Sequence, residues 1–218
     1  KGCHFTNNNA TYGGGISNHA AGTNWVSMVP SNEFGTGGGK TGTADTLNGD
    51  CVNGLWMKEC TFTGNSAVLG GAIRNSSSLE TRIDDCIFTN NTANESGDGG
   101  GIFNFYSNLE LINTTFIGNS AEVSGAGIYN YESAATLTGC KFENNTANSN
   151  GGGMSNVFSS SPTLTDCEFT NNTATNGAGM YNYDGSDSVL TTCTFENNNA
   201  KIGGGMYNDY YSDPTLNT

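Results

Sequence analysis

The stretch CTFTGNSAVLGGAIRN, residues 60–75, decides the fold because close copies of it recur along the whole chain. Each copy joins a C-x-F triplet, or T-T-F at Thr114, to an Asn-containing turn, a glycine-rich turn, and an apolar residue followed two positions later by asparagine. Repeats of about 20–50 residues are typical of solenoids, propellers and arrays, in which each unit packs against its neighbours. The related strings begin at Cys3, Cys86, Thr114, Cys140, Cys167 and Cys193.

The phenylalanines of these strings measure the repeat. After a first step of 57 residues, they follow one another at intervals of 26 to 28. Three short strand-like pieces and three turns fit one interval, whereas a propeller blade needs about 40 residues or more. The sequence therefore predicts an all-β, right-handed parallel β-helix of about eight rungs of ~27 residues, with the first step counted as two rungs. We expect one domain over 1–218, with a divergent rung and a surface excursion at about 19–59.

Stacking explains why the repeats are so alike. Rungs lie about 4.8 Å apart, so equivalent residues sit directly above one another. Phenylalanine then stacks on phenylalanine, and each inward asparagine amide bonds to the next, as in a ladder. The predicted ladder consists of Asn18, Asn75, Asn104, Asn130, Asn156, Asn182 and Asn208.

Composition excludes several classes of partner. The net charge is −13, with seven Lys and Arg residues in 218. Nucleic acids and anionic membrane surfaces attract clustered Lys and Arg, so neither is expected as a partner. No apolar run approaches the roughly 18 residues of a membrane span, so we expect no membrane insertion. No cofactor is expected.

Six cysteines share one inward position, which favours a column of buried thiols acting as small hydrophobes. Disulfides or a metal-binding thiolate column are the alternatives, although Thr114 fills the same position in one repeat. Cys51 lies off the pattern, and a bridge from it to Cys60 or Cys3 remains open. The six are Cys3, Cys60, Cys86, Cys140, Cys167 and Cys193.

Two sets of outward residues are candidates for modification or binding. Three Asn-x-Thr sequons share one repeat position and are candidate glycosylation sites: Asn90, Asn144 and Asn171. An aromatic stripe is a candidate for glycan or lateral contacts, although aromatics are also simply favoured in strands. It comprises Phe103, Tyr129, Tyr181 and Tyr207, and Trp25 in the excursion joins it as a candidate.

An enzyme would need a constellation of unique residues, and only the non-repetitive part of the chain offers a place for one. Carboxylate clusters with a basic residue are typical of polysaccharide-cleaving β-helices. No convergent spacing relates the candidates here, so we expect no enzyme; carbohydrate binding or polysaccharide processing remains the alternative. The candidates are His19, Trp25, Lys40, Asp45, Asp50, Lys58 and Glu59.

The repeats also resemble a known family. FTGN with GGAI, and the variants FTNN, FIGN and FENN with GGGI or GAGM, resemble the repeats of chlamydial polymorphic outer-membrane proteins and of large secreted bacterial β-helix proteins. The resemblance covers nearly the whole chain except about 19–56. It implies a β-helix, an extracellular or cell-surface location, and adhesion or surface display rather than catalysis.

The two ends of the sequence match the repeat. SDPTLNT at 212–218 resembles SSPTLTDC at 160–167. If another copy followed, its first C-x-F phenylalanine would fall 28 residues after Phe195, within the internal range of 26 to 28. We therefore expect an extracellular structural protein, either a filament subunit stacking head to tail on itself or a segment of a surface fibre or adhesin, with surface glycans as a further partner. The expected head-to-tail interface is Lys1, Gly2, Cys3, Phe5, Pro214, Thr215, Leu216, Asn217 and Thr218.

Overall fold

The regular elements of the protein are short strands that build four parallel sheets. The computed structural model describes residues 3–19, 26–28, 54–77 and 80–218. The first sheet contains β1 (His4–Thr6), β5 (Thr61–Thr63), β9 (Ile87–Thr89), β13 (Thr115–Ile117), β17 (Lys141–Glu143), β21 (Glu168–Thr170) and β24 (Thr194–Glu196). The second, shorter sheet contains β6 (Ser66–Ala67), β10 (Thr92–Ala93), β14 (Ser120–Ala121) and β18 (Thr146–Ala147).

The other two sheets complete each turn of the coil. The third contains β2 (Ile16–His19), β7 (Ile73–Ser76), β11 (Ile102–Phe105), β15 (Ile128–Tyr131), β19 (Met154–Val157), β22 (Met180–Tyr183) and β25 (Met206–Asp209). The fourth contains β3 (Val26–Met28), β4 (Gly54–Lys58), β8 (Glu80–Asp84), β12 (Leu109–Ile112), β16 (Ala135–Thr138), β20 (Thr163–Thr165), β23 (Val189–Thr191) and β26 (Thr215–Asn217). The protein is a right-handed parallel β-helix, as the repeat predicts.

The number of rungs differs from the expected eight. β1 pairs directly with β5, so that Phe5 lies opposite Phe62, and β2 pairs directly with β7. The step of 57 residues therefore advances the coil by one rung, and the seven phenylalanines are separated by six turns. The count was wrong because a long insertion can leave a coil and return to the same point at little entropic cost. Part of the insertion, β3, pairs with β4 at the end of the fourth sheet. Trp25 and the other residues of 20–25 and 29–53 lie outside the described residues.

The core consists of columns of identical or similar side chains. Neighbouring phenylalanine rings stack at centroid distances of 4.6 to 4.9 Å, with interplanar angles of 2 to 11°. Columns of Ile or Met from the third sheet and of Ile or Leu from the fourth sheet pack against these rings in one continuous cluster. Glycines before the third sheet let the chain pass close to the rings: a Cβ on Gly127 would lie 2.8 Å from Cδ1 of Phe142. Register is thus set by the side chains inside the coil.

Candidate functional site

The predicted asparagine ladder is present along the third sheet. Each Nδ2 donates to Oδ1 of the equivalent asparagine one rung further on, from Asn18 to Asn208, at 2.8 to 3.1 Å. The members from Asn75 to Asn182 are fully buried. Because an unpaired buried amide is costly, the ladder strongly favours one register.

A second asparagine ladder follows the first sheet and was not recognised in the sequence. Its members stand three residues after each stacked phenylalanine: Asn8, Asn65, Asn91, Asn119, Asn145, Asn172 and Asn198. From Asn65 onward, each Oδ1 accepts both the Nδ2 and the backbone N–H of the preceding member, at 2.8 to 3.0 Å. Each Nδ2 from Asn65 onward also donates to a phenylalanine carbonyl of the preceding rung. The invariant Phe-to-Asn spacing was the available signal.

The cysteine column is buried at its middle members, is half-buried at Cys3 and Cys193, and has thiols that donate to the backbone. Cys86 Sγ donates to the carbonyl of Asp84 at 3.2 Å, and Cys167 Sγ to that of Thr165 at 3.4 Å. Thr114 Oγ1 makes the equivalent bond to Ile112 at 3.1 Å, which explains why threonine is accepted in this column. Hydrogen bonding with the Cys60 thiol, and then burial, raises the pKa of Cys86. Cys86, Cys140, Cys167 and Cys193 are thiols and not disulfides, whereas Cys51 lies outside the described residues.

The structure describes only part of the residues behind the metal and enzyme alternatives. Across the described ranges, no group of three or more His, Cys, Asp and Glu side chains is arranged to hold a metal ion. Lys58 pairs with Asp85 at 3.8 Å on the surface. Lys40, Asp45 and Asp50 lie outside the described residues.

The three sequon asparagines lie at exposed turns. Asn90, Asn144 and Asn171 have φ values of 54°, 56° and 56°, a left-handed conformation that asparagine tolerates better than most residues. Their side chains are accessible. Glycosylation of these residues remains a prediction.

The aromatic stripe lies on the outward face of the third sheet, where its rings cover one another. Phe103 stacks on Tyr129 at 5.4 Å, and Tyr181 lies 5.8 Å from Tyr207. As a result Phe103 and Tyr181 are only 6% and 7% exposed, so the stripe is less accessible than the sequence suggested. Burial raises the pKa of Tyr181 to about 12. Between Tyr129 and Tyr181 the column is interrupted by Ser155, and a cavity of about 300 Å³ opens there.

The residues expected to join copies lie at the two ends of the coil. Cys3 and Phe5 are half-buried at one end, and Lys1 and Gly2 are outside the described residues. At the other end Pro214 is half-buried and Thr215, Leu216, Asn217 and Thr218 are exposed. β3 pairs with the outer edge of β4 at the end of the fourth sheet. In a head-to-tail junction, β26 of the incoming copy would need to pair with this same edge. The head-to-tail interface remains a prediction.

Comparison with protein families agrees with this geometry. The family model described as right handed beta helix region matches residues 95–217. The chain belongs to this family. A second model, the Chlamydia polymorphic membrane protein repeat, matches residues 59–76 and 85–104 of this β-helix. Searches of curated proteins and of solved structures found no match for the chain.

The polymorphic membrane protein repeats correspond to physical units of the β-helix. Each matched segment contains the stacked phenylalanine, the asparagine three residues later and the glycine-rich turn before the third sheet. The resemblance expected from the sequence is confirmed. The two family matches suggest a surface or secreted β-helix protein. The described residues contain no helix with the length and apolar character needed to span a bilayer.

Proposed function

We propose that the chain is a structural, non-enzymatic segment of an extracellular surface fibre or adhesin. The observation that supports this best is the unbroken register of its ladders. Phenylalanines, both sets of asparagines and the apolar columns stay aligned from the first level to the last. A coil held in this way keeps its outward side chains at fixed intervals of about 4.8 Å, which suits a rigid surface for contacts.

Charge supports the same proposal. A net charge of −13 favours solubility and disfavours nucleic acids and anionic lipids as partners. The outward positions of the first sheet vary from rung to rung, with Lys141 and Glu168 forming an exposed ion pair at 2.9 Å. Outward side chains that differ from rung to rung, around a core that stays the same, are expected of a scaffold that binds partners through its faces.

A head-to-tail filament subunit is the second candidate. It is favoured by the C-terminal edge, where Leu216 continues an inward apolar column but is 68% exposed. The position of β3 disfavours it. A copy joining at the N-terminal end of the coil would have to displace β3 from β4, or would leave a gap of one rung at the other three sheets. A rod segment requires no such rearrangement.

Sedimentation velocity over a wide range of protein concentration distinguishes the two candidates. The rod segment predicts one species of 22.7 kDa at every concentration. A filament subunit predicts larger species that grow with concentration, that disappear in Leu216→Lys, and that persist in the matched control Asn217→Lys on the outward side of the same strand. That second pattern would overturn the rod segment as the primary assignment.

A further inference from the structure

Aromatic and acidic side chains alternate along one corner of the coil, directly after the third sheet. The residue that follows each third-sheet strand is equivalent from rung to rung, because these strands are in register. All five such residues have φ values of 44 to 57°, so the same backbone turn presents each of them. We call this column the Phe158 ridge, and it consists of Tyr106, Glu132, Phe158, Asp184 and Tyr210.

The rings of the Phe158 ridge are open to solvent but held in place. Tyr106 is 47% exposed, Phe158 38% and Tyr210 57%. The Phe158 ring lies 4.8 Å from that of Tyr131 and 6.0 Å from that of Tyr183, in the neighbouring column. Tyr106 and Tyr210 contact the same two tyrosines, at 5.8 and 5.7 Å. A contiguous row of exposed rings is typical of a surface that binds a partner.

Two carboxylates lie between the three rings. Glu132 is exposed and Asp184 is half-buried, and neither belongs to an ion pair within the described residues. The Tyr106 hydroxyl donates to Glu132 Oε1 at 2.6 Å, which holds this carboxylate beside the rings. A cavity of about 400 Å³ is lined by Glu132, Phe158, Ser159 and Asp184. A cation in this cavity would contact an aromatic face and two carboxylates at once.

The spacing of the ridge selects one backbone conformation for a bound segment. Like residues recur every second rung, or at about 9.6 Å. A polyproline II helix has three residues per turn and rises about 3.1 Å per residue, so equivalent side chains recur at about 9.3 Å. Side chains on one face of a β-strand recur at about 6.6 Å, and one α-helical turn rises about 5.4 Å. Only the polyproline II segment therefore stays in step with the ridge.

We propose that the Phe158 ridge binds a polyproline II segment of a partner protein that carries Lys or Arg at every third position. Two basic side chains, one turn apart, face Glu132 and Asp184 and lie against the Phe158 ring. The prolines between them pack on the exposed tyrosines, as proline-rich segments do in aromatic-lined sites. The net charge of −13 attracts such a basic segment. A neutral proline-rich segment would leave both carboxylates without a partner.

This inference rests on the surface role proposed above and names a partner and a site for it. The two can fail separately. Binding of a peptide in solution does not require adhesion to cells, and a rod that adheres through another face would not bind the peptide at the Phe158 ridge.

The test is fluorescence anisotropy at low ionic strength with a dye-labelled peptide of four Pro-Pro-Lys repeats. We expect a Kd on the order of 0.1 mM, which should rise with added salt because the contacts are exposed to solvent. A peptide of the same composition, with its lysines in adjacent pairs, should bind at least about threefold more weakly because it loses the three-residue period. Oligoproline of the same length should not bind measurably.

Variants of the protein locate the binding to the ridge. The double variant Glu132→Gln with Asp184→Asn should weaken binding about threefold to tenfold. Its matched control is Asp166→Asn with Glu196→Gln, which removes the same charge from exposed residues elsewhere and should bind like the wild type.

A third variant tests the ring. Phe158→Asn removes the ring and places at φ 56° a residue that tolerates this conformation, and it should also weaken binding. All the substituted residues are at the surface, so circular dichroism should show melting temperatures close to that of the wild type.

Three results would overturn the proposal. The first is no binding of the Pro-Pro-Lys peptide to the wild type. The second is equal affinity of the ridge double variant and its control. The third is equal affinity of the wild type for the Pro-Pro-Lys peptide and for either the paired-lysine peptide or oligoproline.

Discussion

Replacing Asn119 by alanine tests the second asparagine ladder where it is most buried. Asn119 Oδ1 accepts from both the backbone N–H and Nδ2 of Asn91, and its own Nδ2 donates to Asn145 Oδ1 and to the Phe88 carbonyl, all at 2.9 to 3.0 Å. In Asn119→Ala the Asn91 N–H loses its acceptor in a dry interior. That single orphaned donor costs about 1–3 kcal/mol.

The remaining losses are smaller because their partners keep other bonds. Asn145 Oδ1 still accepts the backbone N–H of residue 119 at 3.0 Å, and Asn91 Nδ2 still donates to a phenylalanine carbonyl. Each such lost bond contributes about 0.5–1.5 kcal/mol. With one orphaned donor and three such lost bonds, the expected destabilisation of Asn119→Ala is about 2.5–7.5 kcal/mol, before any relaxation of the coil.

Urea-induced unfolding followed by circular dichroism measures this difference in the free energy of unfolding. Asn148→Ala is the matched control, since this asparagine is exposed on the next rung and should change stability by less than about 0.5 kcal/mol. If the two variants lose the same free energy of unfolding within error, the ladder is refuted as a source of stability.

Three other outcomes follow from the same geometry. Asn198 is the half-exposed last member of the second ladder. Asn198→Ala should lower the free energy of unfolding clearly less than Asn119→Ala in the same urea titration, because water can hydrogen-bond to the groups that lose their partner. Equal losses would contradict this. Gly127→Ala should lower the melting temperature strongly, because its Cβ would lie 2.8 Å from the Phe142 ring and would also press on the backbone carbonyl of the next rung; an unchanged melting temperature would show that the coil relaxes freely there. Asp98→Asn should stabilise the protein at pH 7 by at most about 3 kcal/mol, since the folded pKa of about 6 lies above the ordinary 3.8. That gain should shrink as the pH falls through 6 and vanish below 3.8, where the wild-type carboxyl is protonated in both states; a pH-independent difference would contradict the burial of this carboxylate.

Much of the fold could be predicted because stacking repeats one physical solution in every rung. The spacing of phenylalanines identified the β-helix, and the asparagines after Ile or Met identified the ladder of the third sheet. The step from Phe5 to Phe62 was counted as two rungs, whereas it spans one. The number of residues in a loop does not determine how many rungs separate its ends. The asparagines of the second ladder looked like ordinary turn residues, because asparagine side chains often hydrogen-bond to their own backbone in turns.

The accessibility of the aromatic stripe was harder to predict for a different reason. The sequence indicated an outward column of rings, and the structure places the column on the outward face of the third sheet. Phe103 and Tyr181 are nevertheless only 6% and 7% exposed. Their burial arises from side-chain packing across neighbouring rungs, which the repeat pattern does not encode.

Adhesion through the faces of a rigid rod is the central proposal for this chain, and coated beads test it directly. Latex beads carrying the wild-type chain would be washed over a panel of glycan-bearing cell monolayers, with albumin-coated beads for comparison. We predict that wild-type beads are retained well above the albumin level. Retention of wild-type beads no greater than that of albumin beads on every monolayer would contradict the adhesive function.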